Sequence, residues 1–120
     1  MKENLIADKS FDFALDVIKL CDELCERRRF AIADQLLRSG TSIGANVEEA
    51  TAAQSRKNFI SKMAIASKEA RESRYWLRLL QRSQTINRDY SEYMQDINEI
   101  VSILTSIVKT ASSSASKGMS

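Results

Sequence analysis

Arg38-Ser39-Gly40-Thr41-Ser42-Ile43-Gly44-Ala45-Asn46-Val47-Glu48-Glu49-Ala50 is the stretch whose reading decides the fold, because it gathers tiny side chains in a chain whose other segments read as helix. It can be a phosphate-gripping loop or a helix face flattened for close packing. A P-loop needs a lysine and a hydroxyl residue directly after its second glycine, and Ala45 and Asn46 follow Gly44 instead. As a helix, the run places Gly40 and Gly44 on one face, flanked by Ser39 and Ala45, where a neighbouring backbone can come close. Each glycine costs about 1 kcal/mol against alanine inside a helix, so such packing must compensate. The alternative is a short break near Ser39-Gly40, given the freedom of glycine in turns.

Working outward, this second helix is expected from about residue 31 to 53, with Ile32, Leu36, Ile43, Val47 and Ala50 on or near one side. Ser55 then supplies an amino-terminal cap for a third helix, with Asn58 as a weak capping-box partner. Phe59, Met63, Ala66, Ala70, Ser73, Leu77 and Leu80 step at alternating fours and threes, a heptad-like seam whose small members complement the glycine run. Tyr75 and Trp76 sit beside that seam and are expected to fill the edge of the core. Upstream, apolar residues from Phe11 to Cys25 recur at three and four, giving a first helix that starts at Ser10 or earlier, near Asn4. Downstream, Asn87 and Asp89 offer a start for a fourth helix carrying Tyr90, Met94, Ile97, Ile100, Val101, Leu104, Ile107 and Val108.

Four amphipathic helices, short connections and no strand signal predict an all-α, antiparallel up-down-up-down four-helix bundle over residues 1–110. Residues 111–120, rich in serine, have nothing to bury and are expected to form a disordered tail. If the second and third helices fold back about Ser55, Arg38 should approach Glu72 and Ser42 should approach Glu69 in a polar layer. Proline is absent and glycine occurs only three times, so little forces a stop in regular structure. No apolar run approaches the roughly 20 residues that span a bilayer, and the amino terminus lacks a signal pattern, so a cytoplasmic protein without membrane contact is expected.

The residues argue against catalysis. Histidine is absent, which removes the commonest acid-base catalyst and every triad built on imidazole. Cys21 and Cys25 share a helix face at a spacing far from zinc motifs and read as two small buried residues. Glu69, Glu72 and Glu49 could be imagined as a carboxylate-bridged metal pair, but such sites add histidine ligands. No metal and no cofactor is expected, and the chain is read as not an enzyme.

Charge carries the functional signal. The formal net charge is only +2, yet between Arg56 and Arg82 eight basic residues face two acidic ones, leaving the remainder of the chain negative. At 100° per residue, Lys57, Lys68, Arg71, Arg74, Arg78 and Arg82 fall within about a third of the helix circumference. One reading is a nucleic-acid backbone track that displaces counterions without reading bases. The other is a solvated face whose arginines pair with Asp96 and Glu99 of the neighbouring helix, or with another subunit. Arg27-Arg28-Arg29 either extends the basic surface or answers the dipole of a helix carboxyl end.

Ser10-Phe11-Asp12-Phe13-Ala14 and the run from Gln35 to Ala50 resemble the bacterial four-helix-bundle family named for proteins encoded in intervening sequences of 23S rRNA genes. The likeness continues through Ala53-Gln54-Ser55-Arg56, Phe59, Ile65 to Glu72 and Tyr75 to Leu80, and covers nearly everything from Phe11 to Thr110. Cys21, Cys25 and Arg27-Arg28-Arg29 lie where no family motif is recognised. The resemblance implies an antiparallel bundle and a homo-oligomer, a homopentamer in related members. It is also similar to accessory proteins of diversity-generating retroelements, which are basic, pentameric and work with a reverse transcriptase and nucleic acid. Two function classes follow. One is an oligomer that binds RNA or DNA through the basic face with little sequence choice; the other is an accessory module that docks a partner protein such as a nucleic-acid enzyme.

Overall fold

The computed structural model describes residues 2–119, with side chains as far as Ser114. Four helices follow in order: α1 (Lys2–Glu26), α2 (Phe30–Thr51), α3 (Arg56–Ser83) and α4 (Ser91–Met119). Each packs against its neighbours around a ring, α1 on α2, α2 on α3, α3 on α4 and α4 back on α1, so α1 and α3 stand diagonally opposite. The result is the expected antiparallel four-helix bundle, a rod of 54 × 21 × 21 Å.

Every helix contributes a stripe of apolar residues at three and four. Phe13, Val17, Leu20 and Leu24 of α1 meet Leu36, Ile43 and Val47 of α2, Met63, Leu77 and Leu80 of α3, and Ile97, Ile100 and Leu104 of α4 in one buried core. Tyr90 closes one end, fully buried, with its hydroxyl donating to the Ile86 carbonyl at 2.9 Å. The connections are short. Arg28, at φ 60°, turns the chain between α1 and α2, and Gln84, at φ 51°, ends α3 with its N–H on the Leu80 carbonyl. Both are non-glycine residues in the left-handed region, where a single residue can reverse a helix end.

The small-residue run is continuous helix, and neither Gly40 nor Gly44 has positive φ. The glycines do not face α3 as the sequence reading supposed. They face α1: a Cβ built on Gly40 would stand 2.8 Å from Val17 Cγ1, and one on Gly44 would stand 3.4 Å from Ser10 Oγ. On the other flank of α2, Ser73 donates to Ser39 at 2.8 Å, two fully buried hydroxyls. The polar layer with α3 is present, with one change of partner. Arg38 binds both Glu69, at 2.9 Å, and Glu72, while Ser42 turns back to the Arg38 carbonyl at 2.6 Å. A long side chain reaches across a seam that a serine at the same level cannot span.

Four other expectations change. Cys21 is buried but Cys25 is exposed, because four residues advance a helix by about 40° beyond a full turn and carry Cys25 off the core face. Trp76 packs at the core edge, whereas Tyr75 is 52% exposed. The fourth helix begins at Ser91, with Asp89 rather than Asn87 accepting from the Ser91 N–H and hydroxyl. Past Thr110, where the tail was expected to start, α4 continues without a break to Met119, and Ala111 is buried. The side chains of 115–120 lie outside the described residues.

Candidate nucleic-acid interface

The α3 helix is positioned from both ends. At its start Ser55 is extended, at φ −134° and ψ 155°, and its hydroxyl accepts from the Asn58 N–H at 3.1 Å. Along its length Met63, Ala66, Ala70, Ser73, Leu77 and Leu80 are buried, which fixes the rotation and turns the opposite side outward. That outward side carries the stripe. Lys57, Lys68, Arg71, Arg78 and Arg82 are exposed, and Arg74 is half-buried at the edge next to α4. Over the 25 residue steps from Lys57 to Arg82 the stripe is about 37 Å long at 1.5 Å per residue.

Among the described residues, none of the six cations has a carboxylate within ion-pair distance. The salt bridges are Lys9–Glu99, Arg38–Glu69, Arg38–Glu72 and Arg88–Glu23. Arg74 donates to the neutral Asn98 amide oxygen at 3.3 Å. Arg38 draws both acids of α3, Glu69 and Glu72, toward α2 and away from the stripe. The intrachain partners that the sequence suggested, Asp96 and Glu99, look toward α1 instead. Lys9 donates to Glu99 at 2.6 Å; this bond raises the Lys9 pKa and, with one from Gln95, holds the Glu99 carboxyl below its usual range. Burial pushes the Asp96 carboxyl up, helped by Asp16, Glu92 and Glu99.

The stripe extends onto α4 at a place that the sequence reading missed. An open groove of about 270 Å³ between α3 and α4 is lined by Ala64, Ser67, Arg71, Thr105, Val108 and Lys109. It joins two cations from different helices with the Ser67 hydroxyl, a donor set suited to an anionic oxygen, while Thr105 donates its own hydroxyl to the Val101 carbonyl at 2.7 Å. A wheel drawn on one helix cannot reveal this, since Lys109 becomes relevant only once the α3–α4 register is known. The grooves between α1 and α4, by contrast, set Asp12, Asp16, Asp89, Glu92 and Asp96 against Lys9 and Arg88, each already paired with a glutamate, an acidic balance that would repel a phosphate backbone.

Other chemistry has less footing. Burial, reinforced by Cys25, Asp22 and Asp34, pushes the Cys21 thiol up to about 12, and it donates to the Ala33 carbonyl at 3.4 Å. It is a protonated thiol at neutral pH and a poor nucleophile. Among the described residues no group of three or more histidine, cysteine or acidic side chains is gathered closely enough to hold a metal. Nor is any described helix long and apolar enough to cross a membrane. On the far side of the bundle, Phe11, Leu15 and Ile18 of α1 and Leu37 of α2 form a row of exposed large apolar residues.

A crystal structure of a protein with unknown function from the S23 ribosomal protein family of Bacteroides thetaiotaomicron superposes on this bundle with a TM-score of 0.85. It shares 48% sequence identity over 91% of this chain and 99% of its own. No curated protein matches the chain. Residues 2–106 match the family described as 23S rRNA-intervening sequence protein, a span running from the start of α1 well into α4. On that match, and on the 48% identity across a shared four-helix bundle, the chain belongs to the 23S rRNA-intervening sequence protein family.

Proposed function

We propose that this bundle is a non-catalytic nucleic-acid-binding protein that holds RNA by its phosphates along Lys57, Lys68, Arg71, Arg74, Arg78 and Arg82, with little sequence choice, and works as a homo-oligomer. The observation that carries the reading is the unneutralised state of the stripe. Six cations lie along one helix while the nearby acids of α3 and α4 are engaged or turned elsewhere. Uncompensated charge of this kind raises the local concentration of a polyanion and binds it by releasing condensed counterions. Self-association would multiply the effect, since several stripes on one assembly bind one strand with far higher avidity than a single stripe.

The test is binding of a generic RNA, followed by fluorescence anisotropy across a salt series. Affinity should fall steeply, by orders of magnitude for several phosphate contacts, between about 50 and 200 mM salt. Reversing Arg71, Arg74 and Arg78 to glutamate should abolish it while leaving helix content unchanged. No affinity for RNA or DNA at low salt would sink the proposal. Light scattering on the same sample should return a mass of several chains, and a monomer at micromolar concentration would remove the oligomer from it.

A second reading, an accessory module that docks a partner protein, is favoured by the exposed row of Phe11, Leu15, Ile18 and Leu37. Four large apolar side chains on one outer face amount to more than scattered exposure and are typical of interaction surfaces.

A further inference from the structure

Within the basic stripe one residue does not belong to a purely electrostatic track. Tyr75 is 52% exposed although large aromatic side chains normally bury most of their surface. It lies 18 residues after Lys57, which at 100° per residue is five whole turns, so it shares the azimuth of the stripe itself and stands between Arg71 and Arg78 along the axis. Leu79, the next residue along this line, is 40% exposed. An apolar platform therefore sits in the middle of the cations.

The ring is also held in place. Trp76 meets it edge-on, with centroids 5.2 Å apart and planes at 70°. Trp76 in turn donates its indole N–H to Glu72 at 3.2 Å, and Glu72 is bound by Arg38 of α2. A chain of contacts thus runs from α2 to an aromatic ring at the surface. Such support limits the rotamers of Tyr75 and lowers the entropy lost when something stacks on it.

Resting on the reading of the stripe as a nucleic-acid track, we infer that its ligand is single-stranded, with an unpaired base stacked on Tyr75 while the flanking arginines take the adjacent phosphates. In a duplex the base faces are already stacked on each other and only backbone and groove edges are offered, so an exposed ring adds nothing there. Unpaired bases offer their faces, and interleaved cations and aromatics are the usual means of gripping a single strand without regard to sequence. The cations at Lys68, Arg71, Arg74, Arg78 and Arg82 advance by three or four residues, about 4.5 to 6 Å each, and leave Tyr75 bracketed on both sides.

The full-length protein is titrated with a single-stranded uridine-rich oligonucleotide and with a blunt RNA duplex of equal length. Four forms are compared: wild type, Tyr75→Ala, Tyr75→Phe and Tyr75→Leu, each checked by circular dichroism for unchanged helix. The wild type should favour the single strand. Tyr75→Ala and Tyr75→Leu should weaken it by roughly 5- to 150-fold, the span for one stacked base, while Tyr75→Phe keeps it and duplex binding stays put. The fluorescence of Trp76, the only tryptophan, should respond to the single strand in the wild type and not in Tyr75→Ala. Equal binding of both ligands with no effect of Tyr75→Ala overturns the inference and leaves the proposed function standing. Retention of single-strand binding by Tyr75→Leu likewise overturns stacking. Failure of every form to bind either ligand at low salt, by contrast, fells the proposed function itself and the inference with it.

Discussion

The two flanks of α2 bring helices together by opposite means. Toward α1, the contact is made by leaving volume out: Gly40 has no side chain, and Val17 fills the space where one would be. Toward α3, the contact is made by adding polar groups: Ser39 and Ser73 share a buried hydrogen bond, and above them Arg38 clamps Glu69 and Glu72. The first is a matter of shape, and any apolar neighbour of the right size would serve. The second is directional, since a slip of one residue would unpair the hydroxyls and the guanidinium together. Register between α2 and α3, and hence the placing of the stripe and of Trp76, rests on the polar flank.

Substitutions can break this contrast. Gly40→Ala should have the largest effect: its Cβ would overlap the stiff, buried Val17, costing about 1 to 3 kcal/mol for overpacking in spite of about 1 kcal/mol gained in helix propensity. Gly44→Ala, one turn along, meets Ser10 only at contact distance and should stabilise by up to about 1 kcal/mol. Urea unfolding of the pair decides it, and equal shifts would mean that close approach is not what the run provides. Ser39→Ala should cost about 1 kcal/mol by stranding the buried Ser73 hydroxyl that donates to it, and adding Ser73→Ala should recover part of that loss. A double variant worse than either single one would show that the pair does more than satisfy itself. Glu72→Ala should have the smallest effect, below about 1 kcal/mol, because its pair with Arg38 is partly exposed and Glu69 remains. It should still shift Trp76 fluorescence by removing the indole acceptor. If neither stability nor fluorescence moves, the outer part of the layer is not structural.

Much of this was legible in the sequence, for identifiable reasons. Apolar recurrence at three and four gave the helices, and the two glycines four apart were correctly placed on one helical face. Periodicity says that Gly40 and Gly44 share a face, but not which neighbour that face meets, and the neighbour proved to be α1. The Arg38–Glu72 pairing could be counted from the turn at Ser55, because an antiparallel hairpin fixes which levels coincide. Ser42 and Glu69 coincide too, yet a hydroxyl three bonds long reaches its own helix first. The angular clustering of the six cations needed only the helix repeat. Whether acids from another helix neutralise them depends on packing, and so does the addition of Lys109 across the α3–α4 groove. Adjacent aromatics were the hardest case: Tyr75 and Trp76 differ by 100° on the helix, so only one of them can reach the core, and sequence does not say which.

The diagonal placing of α1 and α3 has a thermodynamic consequence. A polyanion lying on α3 and a protein resting on Phe11, Leu15 and Ile18 of α1 would touch no common side chain, and the bundle, 21 Å across, would stand between them. At that distance, with no element having two alternative packings between them, the coupling free energy should be close to zero. Occupancy of one face would then leave affinity at the other unchanged, and the bundle would act as a passive bridge that joins its two ligands without either one sensing the other.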